Sequence, residues 1–136
     1  MTAPGKVSEE ASPVKKLRVV MAQLDFLVGD IPGNTERVIQ AAREAWQEHQ
    51  ADIVVFPELC LTGYPPEDLL LRPSLGIRVS DAVEQLKQAK LEPAIVVGAP
   101  VRSGGLLYNA ALVIEDGVLV GKYFKRCPPN YQVFDE

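Results

Sequence analysis

Two residues stand where a carboxylate and an amine can do chemistry: Glu58 and Lys125. Glu58 follows an apolar run, Val54-Val55-Phe56, that breaks at Pro57. An acid delivered at the end of a buried strand sits at the mouth of a sheet, where open α/β sheets keep their ligands. Flanked by apolar residues there, it can serve as a general base. Lys125 ends a second apolar segment, Val118 to Phe124, and can aim a fixed positive charge at a developing oxyanion. Each also fits a plain role, a surface acid that ends a strand and a solvated strand-end lysine. Spacing and periodicity do not show that the two meet.

The thiols are weaker candidates. Cys60 lies two residues from Glu58, and a thiol beside a base is a nucleophile pattern. Neighbouring positions on an irregular loop need not face one another, so Cys60 reads as buried packing. Cys127 lies between Arg126 and Pro128 and reads as an exposed thiol. Ser103-Gly104-Gly105 sits between strands without a following Lys, Ser or Thr, and is a turn rather than a phosphate loop. Two separated cysteines and the single histidine, His49, give neither zinc-ligand spacing nor a disulfide framework.

Composition sets the frame for these residues. Apolar residues make up 47% and charged residues 24% of the 136, an ordinary globular balance for one domain. A net charge of -4 argues against a nucleic-acid partner. No apolar run is long enough to span a membrane. The isolated cysteines point to a reducing cytoplasm. Residues 1–16 lack an apolar signal segment and read as a disordered leader, leaving 17–136 as the folded part.

The pattern along 17–136 is α/β. Leu17 to Leu24 is a continuous apolar run, a candidate central strand. Asn34 is a good N-cap for a helix whose apolar face is Val38, Ala42, Ala45 and Trp46, with Trp46 and His49 at or beside the core. Ala51 to Phe56 is a second strand. The loop from Pro57 to Pro66 carries Leu59, Cys60, Leu61 and Tyr64, too apolar for a solvated connection, and inward-folding loops of this kind build sites. One helical turn fits Asp68 to Leu71, and a second helix runs from about Ser74 to Ala89 with Leu75, Val79, Val83 and Leu86 inward. Pro93 to Ala99 is a third strand. Leu106 to Ile114 and Val118 to Phe124 form a hairpin across Glu115-Asp116-Gly117. The expected order is βαβαβ and then a hairpin, the sheet changing from parallel to antiparallel. The elements fall short of a finished layered fold, so the chain reads as truncated.

The run from Phe56 to Leu70, Phe-Pro-Glu-Leu-Cys-Leu-Thr-Gly-Tyr-Pro-Pro-Glu-Asp-Leu-Leu, resembles the carbon–nitrogen hydrolase (nitrilase) superfamily. Its Tyr-Pro-Pro-Glu-Asp extension is similar to one branch, the glutaminase domains of glutamine-dependent NAD⁺ synthetases. The block from Lys125 to Glu136 resembles that branch's lysine motif, and Tyr108-Asn109-Ala110-Ala111 also fits.

The resemblance implies an α-β-β-α sandwich, incomplete here, and a Glu-Lys-Cys triad. Glu58 matches the general base, Lys125 the oxyanion-stabilising lysine and Tyr131 a glutamine-binding tyrosine; Glu136 matches a supporting glutamate more loosely. The nucleophilic cysteine of the superfamily follows the lysine motif by some tens of residues, so neither Cys60 nor Cys127 matches it, and the fragment alone is expected to be inactive. The implied chemistry is hydrolysis of the L-glutamine amide, with ammonia passed to a C-terminal synthetase domain. That domain uses ATP and Mg²⁺ to amidate nicotinic acid adenine dinucleotide. No cofactor is expected in this chain, and homo-oligomers are the family's habit. Two other readings stay open: a free-standing amidohydrolase of the same superfamily, and a non-catalytic binding or oligomerising module.

Overall fold

The computed structural model describes residues 16–63 and 72–126. Expectations for the leader before Lys16, for a turn over Asp68 to Leu71, and for Cys127, Tyr131 and Glu136 fall outside the described residues. The elements in order are β1 (Val19–Met21), α1 (Ile31–His49), β2 (Ile53–Val55), α2 (Ser74–Gln88), β3 (Ala94–Ser103), β4 (Leu106–Glu115) and β5 (Val118–Arg126). They form one five-stranded sheet in the order β1-β2-β3-β4-β5. The β1-β2 and β2-β3 pairs are parallel; β3-β4 and β4-β5 are antiparallel. The βαβαβ-hairpin order is the one the apolar periodicity predicts.

Both helices pack on one face of the sheet. Val38, Ala42 and Ala45 of α1 join Leu75, Val79, Ala82 and Leu86 of α2 over Val54, Ile95, Val97, Ala110, Leu112 and Ile114. Strand alternation sends Val19, Met21, Val55 and Val96 to the opposite face, where Val19 and Met21 are exposed. One helical layer on one sheet is half of the α-β-β-α arrangement. This open face corrects the reading of β1. The strand is three residues long and ends the sheet rather than lying at its centre. A continuous apolar run implies burial on both faces, but Val19 and Met21 of β1 are exposed on the second one.

The start of α1 differs from expectation for a definable reason. The helix begins at Ile31, capped by Asp30, whose carboxylate accepts from the Gly33 N–H at 3.1 Å. Pro32 suits the first turn because its missing N–H would have no helical partner there. Asn34, the expected cap, lies inside the helix and is fully buried. Its Oδ1 accepts from the Leu27 N–H at 2.9 Å, and its Nδ2 donates to the carbonyls of Leu27 at 2.8 Å and Leu61 at 3.2 Å. It thereby ties the loop after β1 to the loop after β2. Trp46 and His49 do not pack into the core; both are exposed near the end of α1.

Two hairpins complete the sheet. Gly104 and Gly105 have φ of 57° and 80°, and Asp116 and Gly117 have 54° and 76°. Two central residues with positive φ make the tight turn that matches strand twist. Past the second turn the ladder slips. Ile114 pairs with Leu119 but Val113 pairs with Gly121, leaving Val120 as a one-residue bulge.

β3 outruns β2, and the chain leaving β2 takes up the backbone groups that β2 leaves unpaired. The Phe56 N–H donates to the Val96 carbonyl at 2.9 Å and the Leu61 N–H to the Gly98 carbonyl at 3.1 Å. Gly98 makes this approach possible, because a Cβ there would lie 2.3 Å from the Leu59 backbone nitrogen. Relief would require moving backbone, not a side-chain tip. Gly98→Ala is therefore expected to lower stability by about 3 kcal/mol, read from the urea unfolding midpoint. Gly76→Ala is the control: nothing lies within 4 Å of the added methyl, and the helix position gains roughly 0.5–1 kcal/mol.

Candidate active site

Glu58 opens a tight turn immediately after β2. The Cys60 N–H donates to the Pro57 carbonyl and the Thr62 N–H to the Leu59 carbonyl, both at 3.2 Å. Leu59, Cys60 and Leu61 are all buried in the core, whereas Glu58 is exposed. Three apolar side chains therefore pull the turn down and leave the acid above it. Leu59 holds φ at 57°, a left-handed value that is costly for a branched residue. Its complete burial offsets that cost.

The side chain of Glu58 stands over the open face of the sheet. Its Oε1 accepts a hydrogen bond from Nδ2 of Asn109 on β4. Asn109 lies directly across from Lys125 of β5, and residues paired in this way share a face. A cleft of about 380 Å³ is bounded here by Val55, Glu58, Val96, Asn109, Tyr123 and Lys125. The acid and the lysine singled out in the sequence thus line one cleft at the carboxyl end of β2. No ion pair joins them among the described residues, where the salt bridge present is Lys87–Glu84. An acid and an amine held in one cleft without pairing can take up a proton and stabilise an anion separately.

Cys60 takes no part in this cleft. Its Sγ accepts from the Gly98 N–H at 3.4 Å and donates to the Gly98 carbonyl at 3.8 Å. Burial pushes its thiol up to about 11, against which the Gly98 hydrogen bond works only partly. This is the packing role the sequence suggested. Among the described residues no group of three His, Cys, Asp or Glu is placed to hold a metal ion, and no helix is long and apolar enough to cross a membrane.

Sequence reasoning missed three residues that shape the site. Asn109 stood in a stretch noted only for its resemblance, yet a polar residue inside the apolar β4 run was a visible signal. Gly98, within an otherwise branched strand, signalled close backbone approach. Asn34 stood out only as a helix cap, and nothing in the sequence marked its tie to Leu27 and Leu61.

This chain belongs to the carbon-nitrogen hydrolase family, matching it over residues 18–135. It is 49% identical over 120 residues to a glutamine-dependent NAD(+) synthetase of Xylella fastidiosa (strain Temecula1), covering 88% of this chain and 22% of that protein. The identity to the Xanthomonas campestris synthetase is 46% over 128 residues, covering 94% and 23%. The chain thus spans about a fifth of the length of these relatives. A solved glutamine-dependent NAD+ synthetase of Acinetobacter baumannii, in complex with ADP, superposes with a TM-score of 0.77 at 41% identity, covering 88% of this chain and 22% of that one. An amidase of Nesterenkonia sp. shares the fold with a TM-score of 0.73 at 21% identity, covering 88% and 47%.

The burial of Cys60 makes a direct prediction. With its thiol at about 11, roughly one molecule in ten thousand carries the thiolate at pH 7. Native protein treated with iodoacetamide at neutral pH should leave Cys60 unmodified in peptide maps, and unfolding in urea should expose it to complete alkylation. Rapid labelling of the native state would contradict its packing role.

Proposed function

We propose that this chain is part of the glutaminase half of a glutamine-dependent NAD⁺ synthetase. The observation that carries the reading is the cleft shared by Glu58 and Lys125 without an ion pair between them. Relatives of up to 49% identity bearing that name support the choice of branch. On this reading the nucleophilic thiol comes from protein outside these 136 residues. Glu58 takes the proton from that thiol, and the sulfur attacks the side-chain amide carbon of L-glutamine. Lys125 stabilises the oxyanion of the tetrahedral adduct. The C–N bond breaks and ammonia leaves with the transferred proton. Glu58 then takes a proton from water, which attacks the thioester, releases glutamate and restores the thiol.

Tyr131 and Glu136 are assigned to glutamine binding and support on sequence resemblance alone. The synthetase step, with ATP and Mg²⁺, belongs to a C-terminal partner domain that consumes the ammonia. The open sheet face suits the second sheet of the sandwich, and homo-oligomers in a reducing cytoplasm complete the assignment.

The test uses the full-length protein. Glu58→Gln keeps the shape of the side chain and removes the base, so glutamine-driven NAD⁺ synthesis should fall by about 10²–10⁴-fold. Synthesis from added ammonium should continue. Loss of both activities would contradict the assignment of Glu58 to the amide half-reaction. A free-standing amidohydrolase would release ammonia from glutamine yet make no NAD⁺ from either nitrogen source.

A further inference from the structure

A carboxylate on an exposed turn is a poorly aimed base, because its χ angles are free and either oxygen can face the cleft. Glu58 is exposed in this way, yet it is not free. Its Oε1 is held by Nδ2 of Asn109. Asn109 is only 6% exposed and sits on β4 between two paired neighbours, Pro100 of β3 and Lys125 of β5. Its backbone is therefore fixed from both sides, and its amide is as rigid a donor as the sheet can offer.

We propose that Asn109 is a positioning residue for Glu58: it holds one carboxylate oxygen, presents the other to the cleft, and keeps the acid from closing onto Lys125. The proposal rests on the reading of Glu58 as the base. Three observations combine in it. The amide donates to one named oxygen, Oε1, and among the described residues Oε2 makes no hydrogen bond. Asn109 is the cross-strand partner of Lys125, so its amide stands on the same face as the ammonium. Glu58 and Lys125 share the cleft without an ion pair.

The chemistry favours a neutral donor at this position. A cation paired to Glu58 would stabilise the carboxylate and weaken it as a base. A second carboxylate would repel it. A primary amide fixes the geometry without adding charge. Among the described residues, the other titratable groups on the cleft are Lys125 and Tyr123, both on β5.

The experiment measures ammonia release from L-glutamine by the full-length protein against pH, for wild type, Asn109→Leu and Asn109→Asp. Thermal melting confirms that each variant is folded. Asn109→Leu is near in volume and removes the donor, so kcat should fall by about 10²-fold while KM stays within roughly twofold. Asn109→Asp should lower kcat/KM comparably. It should also move the acid limb of the profile to higher pH, because the added negative charge disfavours ionised Glu58. The shifted limb reports that position 109 faces Glu58, and a merely structural role would lower the melting temperature of Asn109→Leu while leaving the kcat of its folded form unchanged.

A folded Asn109→Leu with wild-type kcat, or a folded Asn109→Asp with the wild-type profile, overturns the proposal. If Asn109→Asp does not fold, Asn109→Leu decides. If the wild-type protein releases no ammonia from glutamine, the functional reading fails separately. The Glu58 carboxylate is then titrated by NMR, assigned through Glu58→Gln, and an unmoved titration between wild type and Asn109→Asp overturns the positioning role as well.

Discussion

The geometry of the cleft depends on one close approach, the seating of the Leu59 backbone against Gly98. A methyl group at Gly98 would stand 2.3 Å from the Leu59 nitrogen. With no side chain there, the segment after β2 lies directly on β3 and bonds to its backbone through Phe56 and Leu61. The seat lets Leu59, Cys60 and Leu61 reach the core. Asn34 locks the same segment from the other end through the Leu61 carbonyl. Glu58 is what this anchoring leaves exposed, at a fixed height over the sheet. A side chain on a loop is placed only as precisely as the loop is attached, and here the attachment is a missing side chain, three buried ones and a buried amide.

A second constraint brings the lysine to the acid. Side chains alternate along a strand, so a slip of one residue exchanges its two faces. Leu119 pairs with Ile114 on the helix-covered face. Regular alternation from Leu119 would carry Lys125 to that same face, away from Glu58. The bulge at Val120 resets the count, and Lys125 arrives opposite Asn109 on the open face. The antiparallel β5 and the parallel β2 thus deliver opposite charges to one cleft. Asn109, on the strand beside β5, touches the acid and faces the amine.

Much of this was legible in the residues. The change from helical to strand periodicity gave the element order, Asp116-Gly117 gave the hairpin, and the apolar loop after Phe56 marked itself as inward-folding. The strand-ending positions of Glu58 and Lys125 identified the pair of charges, though not their meeting. What stayed hidden has physical causes. Asp30 with Pro32, and Asn34, offer competing helix starts, and tertiary bonds to Leu27 and Leu61 decide between them. The apolar run at β1 looks central because its exposed side is as apolar as its buried one. Trp46 follows the helical spacing of the core face, but it lies near the end of α1, where the helix passes the edge of the core. The bulge leaves no mark in local composition, because it is set by pairing across two strands.

On the proposed function, Glu58 and Lys125 act as one unit in one cleft. A double-mutant cycle on glutamine hydrolysis by the full-length protein tests it most directly, using Glu58→Gln, Lys125→Met and the double variant. Groups that serve the same transition state lose their effect together. The double variant should therefore be about as slow in kcat/KM as the slower single variant. Losses that multiply, each substitution costing as much in the absence of the other residue as in its presence, would show two independent residues and contradict it.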